Sequence, residues 1–212
     1  GGKGKGMMPL PPQVPRRGGG ISRRVAAALL RLLGWRVAGS VPDVAKCVVV
    51  AVPHTSNFDG LYVLPALLAL DLKMSIFGKK SLFAVPGLAA FLRWAGVMPL
   101  DRERAGGVVD EAVAAFRRSE QLFLGISPEG TRHAAPKWKS GYWRIARGAG
   151  VPVLPVAIDY GRREVRFLPL FTPTDDMAAD HAALAALFRG IEPKHKQRLS
   201  LPLRENQMAE TD

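Results

Sequence analysis

One cysteine, Cys47, is the only thiol among 212 residues. That excludes an intramolecular disulfide and fits a reducing compartment. Its place inside an apolar run makes burial in a strand its expected role. The chain also lacks any run of 18 apolar residues. The longest candidates, residues 61–70 and 82–92, are short and carry Pro65 and Pro86, so neither reads as a membrane span or a signal peptide. Acid is missing from the beginning of the chain. Residues 1–42 hold Lys3, Lys5, Arg16, Arg17, Arg23, Arg24, Arg31 and Arg36 and no Asp or Glu, so eight of the twelve net positive charges fall in the first fifth. A basic arm of this kind suits an anionic partner: a membrane surface, a nucleic acid or an acidic carrier. Histidines are few, and His133, His181 and His195 are scattered without paired-ligand spacing. No metal is therefore expected, and these three belong on the surface. No internal repeat and no recognised nucleic-acid motif is present, so nucleic acid is not an expected partner.

What is present divides the chain. Residues 1–20 are rich in glycine, proline and arginine, cannot build a core, and read as a disordered basic arm. The glycines of residues 1–6, ahead of Met7, read as an expression remnant or an upstream extension. Residues 21–36 read as a basic amphipathic helix, with Val25, Leu29, Leu32 and Leu33 at helical spacing and Arg23, Arg24 and Arg31 between them. Such a helix lies on a membrane or packs on the domain with a solvated basic face, and the pattern leaves both open. Residues 37–190 form the main domain, and 191–212 a C-terminal tail. Strands are expected near 46–52, 73–77, 97–100, 121–126, 152–158 and 164–170. Helices are expected near 58–70, 81–95, 106–119, 140–149 and 175–189. This alternation predicts a single α/β domain with a largely parallel central sheet flanked by helices. The close turn at residues 160–163 predicts an antiparallel last pair.

Chemistry concentrates where strands end, the edge at which such sheets collect ligands. The string Pro53-His54-Thr55-Ser56-Asn57-Phe58-Asp59 follows the apolar run of residues 47–52. A strand stopped by proline puts His54 in a turn, and Asp59 then falls in the first turn of a helix. From there its carboxylate can reach back to the imidazole, and an imidazole so held is a general base for an alcohol or a thiol. Downstream, Gly96-Val97-Met98-Pro99-Leu100-Asp101-Arg102 is a short strand ending in an acid-base pair. Ser127-Pro128-Glu129-Gly130-Thr131-Arg132 follows an apolar run, and Val151-Pro152-Val153-Leu154-Pro155-Val156 is a strand with two prolines. Arg102 and Arg132 suit an oxyanion, because each guanidinium presents two donors to two oxygens. Taken alone, the Asp101-Arg102 pair reads as a surface ion pair.

In this order and spacing, over roughly residues 44–160, the four blocks resemble those of the glycerophosphate and lysophosphatidic acid (1-acylglycerol-3-phosphate) acyltransferase family, of the His-x4-Asp type. The resemblance implies a glycerophosphate-acyltransferase-like fold. It implies transfer of a fatty acyl group from an acyl thioester to the hydroxyl of a lysophospholipid, with His54 as base and Asp59 orienting it. Arg102, Glu129, Gly130, Thr131 and Arg132 match the family's substrate-binding blocks. Acyl-CoA or acyl carrier protein would be the co-substrate, with no bound cofactor, and the protein would be cytoplasmic and peripheral on the inner face of the cell membrane. The third block departs from the family pattern: Ser127 replaces an aromatic before Pro128, and His133 follows Arg132. The stretch of residues 137–143 is also unlike that of the best-known lysophosphatidate enzymes. Another lysolipid, such as lyso-ornithine lipid, therefore stays open as acceptor. So does a serine esterase using Ser127, although Gly125-Ile126-Ser127-Pro128-Glu129 lacks the second glycine of a nucleophile elbow. The basic charge motivates a nucleic-acid-binding module as a third alternative. Residues 81–94, with Leu82, Phe83, Val85, Leu88, Phe91, Leu92 and Trp94, line an acyl slot, dip into the bilayer or form an amphipathic core helix, the last being favoured. Trp138, Tyr142 and Trp143 either seat at a headgroup boundary or pack on the sheet.

Overall fold

The computed structural model describes residues 10–52, 59–101, 107–126 and 140–191; for Val52 and residues 59–64 it describes the backbone alone. Helix α1 (Gly20–Leu33) leads into strands β1 (Arg36–Gly39) and β2 (Lys46–Val52). Next come α2 (Asp59–Leu70), β3 (Met74–Lys79), a short 3-10 helix (Lys80–Ala84), α3 (Leu88–Ala95) and β4 (Val97–Leu100). Then follow α4 (Gly107–Arg118), β5 (Leu122–Ile126), α5 (Gly141–Ala149), β6 (Val153–Asp159), β7 (Glu164–Phe167) and α6 (Met177–Leu187). Among the described residues the strands make one seven-stranded sheet in the order β1-β7-β6-β2-β5-β3-β4. Strands β6, β2, β5, β3 and β4 are mutually parallel, while β7 runs antiparallel to β6 and β1 follows β7. The expected α/β class, largely parallel sheet and antiparallel last pair are what the chain adopts.

Connections decide the layers. The crossovers β2–α2–β3 and β3–α3–β4 step across the sheet in one direction, and β4–α4–β5 and β5–α5–β6 step back. Right-handed crossovers put α2 and α3 on one face and α4 and α5 on the other. Two apolar cores result. Val48, Val50, Leu122 and Leu124 meet Phe116, Tyr142, Ile145 and Leu184 on one face. On the other, Cys47, Val49, Phe123 and Leu154 meet Ala26, Leu30, Leu67 and Leu70. The alternation along β2, one residue to each core, is why it is apolar throughout.

Several sequence expectations change. The reading of residues 1–20 as disordered fails from residue 10 onward: Leu10 and Val14 are buried, and Arg16 bridges to Leu72. Residues 1–9 lie outside the described residues. Strand β1, with only four residues, went unseen; it is held because Glu164, fully buried, accepts from Arg36 Nε at 3.1 Å and Arg166 Nε at 2.7 Å. The helix expected over 81–95 is two pieces, because Pro86 lacks an N–H and Gly87 takes φ +82° between them. Ile191, the first residue assigned to the tail, is buried in the core beside Phe188; residues 192–212 lie outside the described residues. Pro155 sits inside β6, between β2 and β7, where proline is unusual. Its carbonyl accepts from Leu168 N at 2.9 Å, and its missing N–H falls where β7 has already ended.

Candidate active site

The first and third sequence blocks begin where β2 and β5 end, and the second contains β4; these strands are parallel, so all three end at the same carboxyl edge of the sheet. The pairings Val48↔Leu124, Ser75↔Leu124, Lys79↔Leu100 and Val52↔Ala157 give the register. Counting along them puts Val52, Lys79, Leu100 and Ala157 at one level of the sheet. His54 is two residues beyond Val52, and Arg102 two beyond Leu100. Strands β2 and β5 are neighbours, about 5 Å apart, whereas β4 stands three spacings from β2, about 14 Å. This is the rim at which an open α/β sheet takes ligands.

His54, Arg102, Glu129, Gly130, Thr131 and Arg132 lie outside the described residues, as does Ser127. Asp59 is the first residue of α2, the position expected from the spacing.

Residues flanking the blocks explain part of the pattern. Gly96, which opens the second block, is structural. It ends α3 at φ +96°, its N–H bonds Arg93 O at 3.1 Å, and its carbonyl accepts from Ile76 N at 3.1 Å. A Cβ there would lie 2.5 Å from Met74 O. Asp101 pairs with Lys80, Nζ to Oδ2 3.7 Å. Lys79 and Lys80, which sequence reasoning passed over, thus bring two exposed cations to the rim between β5 and β4. Only the strand register places them there. In the fourth block, Val153, Leu154, Pro155 and Val156 are buried, so it is a core strand that supports the rim. Beyond it, buried Asp159 closes the β6–β7 turn, accepting from Gly161 N at 3.0 Å and Arg162 N at 3.2 Å.

A cleft of about 980 Å³ lies elsewhere, between α1 and β1, and is lined by Leu30, Arg31, Trp35, Arg36, Val37 and Phe167 among others. It shares no residue with the ends of β2, β4 or β5. Among the described residues no cluster of three His, Cys, Asp or Glu side chains could hold a metal ion. Tyr142 is buried and Trp143 half-buried, its Nε1 donating to Asp180 Oδ2 at 2.8 Å, so this pair packs inside rather than at a headgroup boundary. His181, expected on the surface, is half-buried and hydrogen-bonded to the Tyr142 hydroxyl.

The comparisons agree with this architecture. The family model Acyltransferase matches residues 36–159, more than half of the chain, and the chain belongs to that family. The matched span starts at β1 and ends at β6. An uncharacterized acyltransferase of Schizosaccharomyces pombe is 32% identical over 124 residues, 55% of this chain and 43% of that protein. The 1-acyl-sn-glycerol-3-phosphate acyltransferase of Haemophilus influenzae is 29% identical over 145 residues, 65% of this chain and 59% of its own. That of Escherichia coli is 32% identical over 87 residues, 38% and 35% respectively. The chain thus spans between about a third and three-fifths of the length of these curated relatives. The crystal structure of the 1-acyl-sn-glycerophosphate (LPA) acyltransferase PlsC of Thermotoga maritima shares the fold, with TM-score 0.54 at 19% identity over 91% of this chain and 79% of that one.

Proposed function

We propose that this protein transfers a fatty acyl group from an acyl thioester, acyl-CoA or acyl carrier protein, to the hydroxyl of a lysophospholipid, 1-acylglycerol-3-phosphate above all. What supports this reading is that β2, β4 and β5, the strands leading to the three family blocks, end at one rim of the parallel sheet, inside the span matched by the family. The names of the bacterial relatives support the acceptor.

In this mechanism His54 takes the proton as the acceptor oxygen attacks the thioester carbonyl. The C–S bond then breaks, and the thiolate leaves with that proton. Asp59 orients the imidazole and steadies its protonated form, and such a base is worth on the order of 10²–10⁴ in rate. Arg102 and Arg132 hold the phosphate, with Glu129, Gly130 and Thr131 completing the acceptor site and Lys79 and Lys80 adding positive charge. Attack is direct, so Ser127 carries no acyl group. No described helix is long and apolar enough to cross a membrane. We assign the protein a peripheral place on an anionic membrane through α1, whose Ile21, Val25 and Leu32 face solvent while Ala26 and Leu30 are buried against the domain.

The test is purified protein with labelled acyl donor and a panel of lysolipids, read by mass spectrometry. Acylated 1-acylglycerol-3-phosphate should be the main product. His54→Ala should lower turnover by at least about a hundredfold with the fold intact, and Ser127→Ala should keep most of it. Arg102→Lys and Arg132→Lys should raise the acceptor Michaelis constant, because lysine keeps the charge and loses the fork. Near-normal turnover in folded His54→Ala would overturn the mechanism, and lyso-ornithine lipid as the preferred acceptor would move the substrate.

A further inference from the structure

The β3–β4 crossover is an anomaly in an otherwise well-packed molecule. Neither the 3-10 helix Lys80–Ala84 nor α3 contributes a buried residue. The expectation of an amphipathic core helix over residues 81–95 therefore fails. Large apolar side chains point outward instead: Phe91 is 58% exposed, Trp94 61%, Val85 49% and Leu82 41%. The Phe91 and Trp94 rings lie 6.0 Å apart and form one aromatic patch. A cluster of this kind marks an interaction surface rather than the scattered exposure common on soluble proteins.

Charge indicates what covers it. Between Asp71 and Asp101 the chain carries Lys73, Lys79, Lys80 and Arg93 and no acid. Arg93 lies over the Phe83 ring at 5.4 Å, and Arg17 over Trp94 at 5.7 Å. An apolar patch tipped with tryptophan and collared by cations matches the boundary of an anionic bilayer, where aromatic rings sit at headgroup level and basic side chains meet lipid phosphates. The position agrees. Arg17 donates to Trp94 O at 3.0 Å and Ala95 O at 2.7 Å, while Gly18 N bonds Asp71 Oδ2 at 3.0 Å. The segment that enters α1 is thereby clipped to the end of α3. The exposed stripe of α1 and the patch on α3 so belong to the same side of the sheet.

We infer that the 3-10 helix and α3 form a second membrane-docking lobe, whose occupant is the interface of an anionic bilayer. This deepens the membrane-associated reading above and rests on it. With α1 it would give two contacts, which fix orientation where one amphipathic helix leaves rotation free.

The experiment uses the full chain and vesicles of phosphatidylglycerol and phosphatidylcholine in equal parts, against phosphatidylcholine alone. Acyl transfer is not its readout, so failure of the proposed reaction leaves it intact. Tryptophan emission should shift to the blue on the anionic vesicles and be quenched by brominated lipid. Most of that response should vanish in Trp94→Phe. The Phe91→Ser/Trp94→Ser double variant, whose sites are exposed, should keep its circular dichroism and thermal midpoint. Its partitioning should be weaker by about tenfold, as expected when two aromatic side chains leave the interface. Unchanged partitioning, or equal quenching in Trp94→Phe, would overturn the lobe. So would a double variant that binds vesicles normally and instead loses affinity for acyl carrier protein or loses self-association.

Discussion

One polar cluster, around Asp180 and His181, shows how individual residues give this fold its pH dependence. Asp180 accepts from Trp143 Nε1 at 2.8 Å, Thr174 N at 2.7 Å and Thr174 Oγ1 at 2.8 Å. Burial raises its pKa, but the bonds to Trp143 and Thr174 and the charge of Arg147 outweigh that and leave it below the usual carboxylate value. Beside it, burial holds the His181 imidazole below its ordinary pKa, against the opposing pull of Asp180. The signs agree. An imidazole depressed in the folded state protonates first in the unfolded chain, so its contribution is lost as pH falls below about 6.5; the depressed carboxylate does the same below about 4. Stability should therefore fall in two stages, the first beginning as pH drops through about 6.5. His181→Gln should flatten that first stage in thermal melts followed across pH. A slope unchanged in the variant would assign the first stage to another group. Cys47 makes the complementary point: full burial raises its thiol pKa strongly, so in the folded protein it is a packing residue and not a nucleophile.

At the scale of elements, the junctions govern more than the strands. Gly96 both ends α3 and starts β4, the strand that delivers the second family block to the rim. Any Cβ there meets the Met74 carbonyl, and φ +96° is hostile to other residues. Gly96→Ala should destabilise the fold by about 1–3 kcal/mol, measured by urea denaturation. Because β4 would shift with it, the acceptor Michaelis constant should rise in the surviving folded protein. A variant as stable as the parent, with unaltered kinetics, would show that the turn is not constrained as described. Glycine at the start of that block was legible as a motif position, but its reason was not. The reason is a carbonyl 22 residues earlier in the chain, brought there by β3.

The whole molecule changes how membrane attachment has to be tested. Removing residues 1–36 would be the natural experiment on a loose basic arm. Here it would strip Leu10, Val14, Leu30 and Trp35 from a core and take away the start of β1. The cleaner test exchanges the outward stripe alone. Ile21→Ser/Val25→Ser/Leu32→Ser should leave the thermal midpoint within a few degrees, since these side chains are 82%, 63% and 85% exposed. Its co-sedimentation with anionic vesicles should fall, and the parent should shed those vesicles as salt rises. Equal co-sedimentation of variant and parent would remove α1 from the contact and leave the α3 lobe alone.

Local pattern by itself determined the class of fold, the positions of most strands, the burial of Cys47 and the four ordered blocks that mark the family. These are carried by apolar periodicity and by short strings of neighbouring residues, which act over a few positions of chain. Tertiary structure alone decided the strand order, the level shared by Val52, Lys79 and Leu100, the capture of residues 10–19 and the outward face of α3. Strand β1 exists because Glu164 waits for Arg36 from 128 positions away. The aromatic residues of α3 read as core until the crossover is seen to leave them exposed. Amphipathic spacing specifies that a helix has two faces; which of them meets protein depends on what the rest of the chain has placed beneath it.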